Sequence, residues 1–321
     1  MTGPILARAG HVIAPHPGGC SIGRRPVNVD IKSFAAMGAR VELSENRYEL
    51  VSNRLRGVRI YLDYPSHTGT ENILLAASLA EGTTSITHSS LEPEVADLVS
   101  CLSQMGAQIR GIGTSRLEIT GVEHLHGFRH RVMPDRIEAG TFAIAGVITG
   151  GDVLLRDIDP EHMDPLSYKL VEAGAIVQAD EDCYRARANG SLHALELQTL
   201  HYPGFPTDLQ AAFATLLTQS EGTSLVHERV YDDRLQYARE LRKLGAEIRV
   251  NGQTATILGP TALKGGAVRA LDIRSGAALI LAGLAAEGQT EIYDIYHIDR
   301  GYEGVDHKLR QLGARINRVT A

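Results

Sequence analysis

The chain has 321 residues, enough for two domains with cores of their own at about 100–200 residues each. A charged content of 22%, a net charge of −6 and an isoelectric point near 6.1 exclude a globally basic nucleic-acid or membrane-surface binder, so cations serving an acidic ligand must be placed locally. No apolar run reaches the about 18–20 residues of a membrane span, no secretory leader follows Met1, and three widely spaced cysteines lack metal-ligand spacing, which together predict a reduced, cytoplasmic protein.

Taken in order, the chain repeats itself. ARAGHVI, around Gly10, reads as a weak first copy of a motif that returns as AEGTTSI, TGGDVLL, SEGTSLV and AEGQTEI, with glycines at Gly82, Gly151, Gly222 and Gly288. A second motif, MGARV, MGAQI, AGAIV, LGAEI and LGARI, places Gly38, Gly106, Gly174, Gly245 and Gly313 at spacings of 68, 68, 71 and 68 residues. Apolar segments of helical length, such as TENILLAASLA and SGAALILAGLA, precede the first motif, and β-rich TTSITH, TSLVHE and TEIYDI follow its glycine. A second amphipathic helix (EVADLVSCLSQM, RLQYARELRKL) then runs to the Gly-Ala pair, and one or two strands close the unit. The predicted class is therefore α/β, built from α+β repeats of the form βαβαββ, each needing neighbours to bury its apolar face. The boundaries predicted are 1–133, about two units including the loop with Cys20, and 134–321, three units with the last short of a strand. The first repeat begins at Met1 without a leading strand, which reads as a start within the fold, or else as a short variant with irregular terminal units.

Three groups of residues could carry chemistry. Cys20 lies in a loop with Gly18, Gly19 and Gly23, and Arg24 and Arg25 beside it favour the reactive thiolate; a loop cysteine of no consequence is the competing reading. Cys101 reads as core and Cys183 as an ordinary strand or turn residue. Arg136, Arg234, Arg274 and Arg300 each stand beside a carboxylate at the edge of an element, as surface ion pairs or as forks for phosphate and carboxylate ligands. The apolar helices open at SHTGTEN, EAGTFAI, PTDLQAA and IRSGAAL, each with Ser, Thr or Asp at hand as a cap, and helix N-termini attract anions. Asp208, after the rigid PGFPT, reads as a helix cap or first-turn acid, or as a fixed general base; Asp272 reads as the ion-pair partner of Arg274. No HxH, HExxH, phosphate-binding GxxxxGK[ST] or dinucleotide GxGxxG pattern occurs, so neither a metal nor a cofactor is called for.

Five segments in order, PGGCSIGRRPVN, PDRIEAGTFAIAG, YPGFPTDLQ, LDIRSGAALILAGLAAEG and YHIDRGYEGVDHKLRQLGA, resemble the UDP-N-acetylglucosamine 1-carboxyvinyltransferases, the enolpyruvyl transferases of peptidoglycan synthesis. The resemblance implies a two-domain fold of repeated βαβαββ units around buried helices, and the substrates phosphoenolpyruvate and UDP-N-acetylglucosamine. It implies no nucleic acid, membrane or obligate protein partner. Cys20 resembles the family's loop cysteine, implicated in proton transfer to phosphoenolpyruvate and alkylated by fosfomycin. Arg25 and Arg300 resemble the phosphoenolpyruvate-gripping arginines, and Asp208 the acid at the sugar 3-hydroxyl. Asp272 and Arg274 resemble the pair near the reacting enol. Asn28 and Val29, with Ser66, His67, Thr68 and Gly69, fall where the family holds uridine and diphosphate, and Val230, Asp232 and Arg234 fall along the substrate cleft. Asn28 stands where aspartate is usual, and no Lys-Asn-Ala segment of the family's first unit occurs. Two function classes follow: an enolpyruvyl transferase, or a protein that binds the nucleotide sugar without turnover.

Overall fold

A computed structural model describes residues 1–16 and 27–319, so Cys20, Arg24 and Arg25 lie outside the described residues. The described residues fall into two compact units, 1–16 with 27–133, and 134–319. The first contains α1 (Thr2–Ala9), β1 (His11–Pro15), α2 (Asn28–Ala36), β2 (Arg40–Leu43), β3 (Arg47–Val51), β4 (Arg59–Tyr61), α3 (His67–Ala77), β5 (Thr83–Thr87), α4 (Pro93–Gln104), β6 (Gln108–Arg110) and β7 (Arg116–Thr120). Its sheets run β1-β3-β2 and β4-β5-β7-β6. In the second sheet β4 and β5 are parallel, with α3 as the crossover, and β5, β7 and β6 are antiparallel neighbours. The register sets Ile60 opposite Ile86 and Ile86 opposite Leu117, all buried, so one face of the pleat is apolar. Here the predicted βαβαββ unit is complete.

The second unit contains α5 (Arg136–Ile148), β8 (Asp152–Arg156), α6 (Asp164–Glu172), β9 (Ile176–Asp180), β10 (Cys183–Arg187), β11 (Leu192–His193), β12 (Glu196–Gln198), α7 (Thr207–Leu217), β13 (Ser220–His227), α8 (Tyr237–Lys243), β14 (Glu247–Asn251), β15 (Thr254–Gly259), β16 (Ala267–Arg269), α9 (Ile273–Ala285), β17 (Glu291–Tyr293), α10 (Tyr296–Asp299) and α11 (Val305–Gln311). The pattern is again complete from β12 to β15, where β12 and β13 are parallel and β13, β15 and β14 antiparallel. The stretch before it has no leading strand, and the last keeps only the parallel pair β16 and β17.

The repeat has a backbone signature. Gly38, Gly106, Gly174, Gly245 and Gly313 all sit at φ between 95° and 98°, one after the C-cap of α2, α4, α6, α8 and α11. A side chain is strained there, so the glycine recurs wherever the second helix must end. The first helices α5, α7 and α9 are apolar on every side and form the centre of their unit, with Ser275–Ala282 buried without interruption. They approach closely: a side chain at Gly140 of α5 would meet Leu209 of α7 at 2.6 Å, and the Thr215 hydroxyl of α7 donates to the Ala278 carbonyl of α9 at 3.4 Å.

Two local expectations change. Cys101 is only half-buried on α4, because its stripe turns partly outward. Helices α3, α5 and α9 take Ser66, Asp135 and Asp272 as side-chain caps, but α7 has Pro206 at its cap, which leaves Asp208 free for other partners. Among the described residues no helix is long and apolar enough to cross a membrane.

Candidate active site

Because α5, α7 and α9 pack together, their first turns meet in the second unit. Asp208, in the first turn of α7, has partners far away in sequence. Its Oδ1 accepts from Arg234 Nη2 at 2.7 Å, and its Oδ2 from Arg274 Nε and Nη2 at 3.1 and 2.9 Å. The Asp208 side chain is 36% exposed, while those of Arg234 and Arg274 are 5% and 16% exposed. The carboxylate therefore stays reachable while its counterions are fixed beneath it. Burial opposes ionisation of Asp208, but the guanidinium groups of Arg274 and Arg234 outweigh it and bring the carboxyl down to about 2.

Aromatic rings set the guanidinium planes. Arg274 lies 5.5 Å over the ring of buried Tyr302, whose hydroxyl meets the Thr141 hydroxyl of α5 at 2.9 Å. Arg234 lies 5.3 Å over Tyr231 and buried Arg136 lies 5.4 Å over Tyr202. The Arg274 Nη1 atom is buried and has no hydrogen-bond partner among the described residues. Such a donor is costly to leave dry, and it fits an anionic or carbonyl ligand.

The expected Asp272–Arg274 ion pair is replaced by a cap. Asp272 Oδ1 accepts from the backbone N–H groups of Arg274 and Ser275 at 2.9 and 3.1 Å, and the Ser275 hydroxyl oxygen accepts from the Asp272 N–H at 2.9 Å. This capping box starts α9 and frees the Arg274 side chain to reach α7. Arg300 is exposed just after α10, beside Gly301, where a Cβ would lie 2.6 Å from Ile273 and 3.8 Å from Arg274 Nη1. The preceding Asp299 is held by both terminal nitrogens of Arg318 at 2.7 and 2.8 Å. Val230 and Asp232 lie on the turn before Arg234; the Val230 N–H is committed internally, and exposed Asp232 accepts from Gln253 at 2.9 Å.

A separate constellation lies in the first unit. Ser66 caps α3 by accepting from the Gly69 N–H at 3.1 Å, and a Cβ at Gly69 would stand 2.9 Å from Val29 Cγ1, so the starts of α2 and α3 touch. Asn28 and Thr68 are exposed there. His67 bonds Glu71 at 3.1 Å; burial lowers its pKa, but Glu71, with Glu94 and Glu92, raises it overall. Asp30 accepts from Asn72 at 2.6 Å, and burial raises its carboxyl above the usual range.

Cys20 and Arg25 lie outside the described residues and gain no placement. Sequence inspection missed Tyr302 and Thr141, which neither repeat motif nor charge marks. The one available signal was a tyrosine in RGYEG, where the polar surroundings argue against chance burial.

The Asp208 cluster makes an acid-pH prediction. A carboxyl held near 2 rather than 3.8 adds stability that is complete above its ordinary value and disappears as pH falls through about 2. The melting-temperature gap between wild type and Asp208→Asn is therefore expected to be constant above about pH 5 and to close between about pH 4 and 2. A gap that closes at neutral pH would contradict this.

Comparison with known proteins agrees with the architecture. The family model for EPSP synthase (3-phosphoshikimate 1-carboxyvinyltransferase) matches residues 1–309. The chain is 49% identical to UDP-N-acetylglucosamine 1-carboxyvinyltransferase 2 of Carboxydothermus hydrogenoformans, over 100% of its own length and 77% of that protein's. It is 47% identical to UDP-N-acetylglucosamine 1-carboxyvinyltransferase of Koribacter versatilis, over 99% of its length and 74% of the relative's. Among solved structures, the enolpyruvyl transferase NikO from Streptomyces tendae matches with a TM-score of 0.88 at 28% identity, over 99% of this chain and 76% of that one. EPSP synthase from Acinetobacter baumannii shares the fold, with a TM-score of 0.72 at 19% identity over 100% of this chain and 77% of that one. On a family match from residue 1 to 309 and near-half identity along its whole length, the chain belongs to the UDP-N-acetylglucosamine 1-carboxyvinyltransferases, within the enolpyruvyl transferase family.

Proposed function

We propose that this enzyme transfers the enolpyruvyl group of phosphoenolpyruvate to the 3-hydroxyl of UDP-N-acetylglucosamine with release of phosphate, as the first committed step of peptidoglycan synthesis, in the cytoplasm. The observation that carries this reading is the reachable Asp208 carboxylate on buried Arg234 and half-buried Arg274, the latter keeping an unpartnered donor. An anionic acceptor and an anionic donor require fixed cations, and preorganised ones cost no rearrangement at the moment of reaction. In this reading the phosphoenolpyruvate C3 methylene gains a proton, with Cys20 as the acid. The sugar oxygen then bonds to C2 as its proton passes to water. A C3 proton returns to the Cys20 thiolate as phosphate departs, which restores the double bond.

A carboxyl held at about 2 is a weak base, so Asp208 is assigned the orienting of the sugar hydroxyl as a hydrogen-bond acceptor. Arg274 steadies charge near the reacting carbon, and Arg25 and Arg300 take the phosphate of phosphoenolpyruvate. Asp272 holds the start of α9, and the touching starts of α2 and α3, with Asn28, Val29 and Ser66 to Gly69, take the uridine diphosphate. Val230, Asp232 and Arg234 line the sugar.

The test is phosphate release from phosphoenolpyruvate by this chain, with and without UDP-N-acetylglucosamine. Release that needs both substrates supports the reading. Nucleotide-sugar binding without release would favour the non-catalytic binder, and absence of both would overturn the assignment.

A further inference from the structure

Six residues beyond the repeat glycines Gly82, Gly151, Gly222 and Gly288 stand His88, Asp157, Glu228 and Asp294, at the ends of β5, β8, β13 and β17. Three of these equivalent residues turn the chain in the left-handed region, with φ of 63°, 62° and 59°, whereas Glu228 does not. Glu228 is instead 1% exposed. Burying a carboxylate costs several kcal/mol unless donors surround it.

Four donors do so. The N–H groups of Val230 and Tyr231 reach Oε1 at 2.7 and 3.1 Å, and the Thr207 hydroxyl and Gln210 side-chain amide reach Oε2 at 2.8 and 3.3 Å. Together they fill the lone-pair sites a carboxylate offers. Their origin matters more than their number. Thr207 and Gln210 flank Asp208 in the first turn of α7. Val230 and Tyr231 belong to the turn that leads to Arg234, and the Tyr231 ring carries the Arg234 guanidinium.

We infer that Glu228 is a positioning residue which ties Asp208 to Arg234, and so sets how the acceptor hydroxyl is held. Its repeat position was diverted from a chain-turning role to this buried tie. The ligand part of the inference rests on the proposed function; the tie itself does not.

The experiment uses the full chain with Glu228→Gln, which is close in shape but turns one acceptor into a donor facing donors. In the folded variant the Asp208 carboxyl, followed by carbon NMR, is expected to titrate about one unit higher, because Arg234 no longer sits squarely on it. Calorimetric affinity for UDP-N-acetylglucosamine is expected to fall about tenfold, the scale of one charge-assisted hydrogen bond, with the phosphoenolpyruvate KM unchanged. A purely structural role would lower the melting temperature and leave the Asp208 titration in place, which would overturn the inference. If Glu228→Gln does not fold, Thr207→Val removes the shorter of the two α7 donors and is expected to shift the titration in the same direction; no shift there overturns the inference equally. A shifted titration in a protein that never binds the nucleotide sugar would support the tie and refute the proposed function.

Discussion

Asp208→Ala is expected to lower kcat by about 10²–10³-fold, the range for losing one preorganised hydrogen-bond partner of a reacting group. The change also leaves the buried Arg234 and half-buried Arg274 guanidinium groups without their shared counterion. Removing one partner of a fully buried pair costs about 3–5 kcal/mol; with Asp208 about a third open to solvent, the loss should fall below that range. Asp208→Asn separates the two effects. The amide keeps the shape and one acceptor oxygen, so thermal unfolding should recover in part while kcat stays low. Recovery of turnover together with stability would mean that Asp208 is only a structural counterion.

Arg274→Lys is expected to be nearly as damaging, despite keeping the charge. Arg274 gives two N–H groups to one oxygen of Asp208, stacks on Tyr302 and holds a third, unpartnered nitrogen near Gly301. An ammonium can replace at most one of these contacts, and it has no plane to stack. We expect a drop in kcat of about 10²-fold or more, of the order seen when one preorganised donor is removed, with the protein still cooperatively folded. The Asp208 carboxyl should also titrate higher than about 2, since its strongest counter-charge is displaced. A Lys variant with unchanged kcat would show that the orphaned Arg274 nitrogen meets no reacting group.

Much of the fold was legible because it is written in strictly local terms. A helix that must end in a left-handed residue needs glycine each time, so Gly38, Gly106, Gly174, Gly245 and Gly313 disclose the repeat without any knowledge of packing. Apolar residues on all sides of 275–285 likewise disclose a helix with no solvent face. Helix starts were legible where side chain and backbone lie within one turn, as at the Ser66 cap, and of the two readings of Asp208 the first-turn acid holds, because Pro206 takes the cap of α7.

Pairing between charges was not legible. Arg136, Arg234, Arg274 and Arg300 each have an acid within two residues, yet Arg234 and Arg274 both choose Asp208, 26 and 66 residues away, and Asp272 spends its carboxylate on backbone N–H groups. Tyr302 and Thr141 join the same cluster from opposite ends of the second unit. The amino-acid sequence by itself determined the repeat, the helix ends and the family, since these depend on backbone conformation and on short motifs that need no partner. Only the tertiary structure decided which carboxylate is clamped, which is a cap and which is buried as a tie. Those outcomes depend on α5, α7 and α9 packing side by side, and a Coulombic choice among several acids is settled by distance and burial rather than by order along the chain.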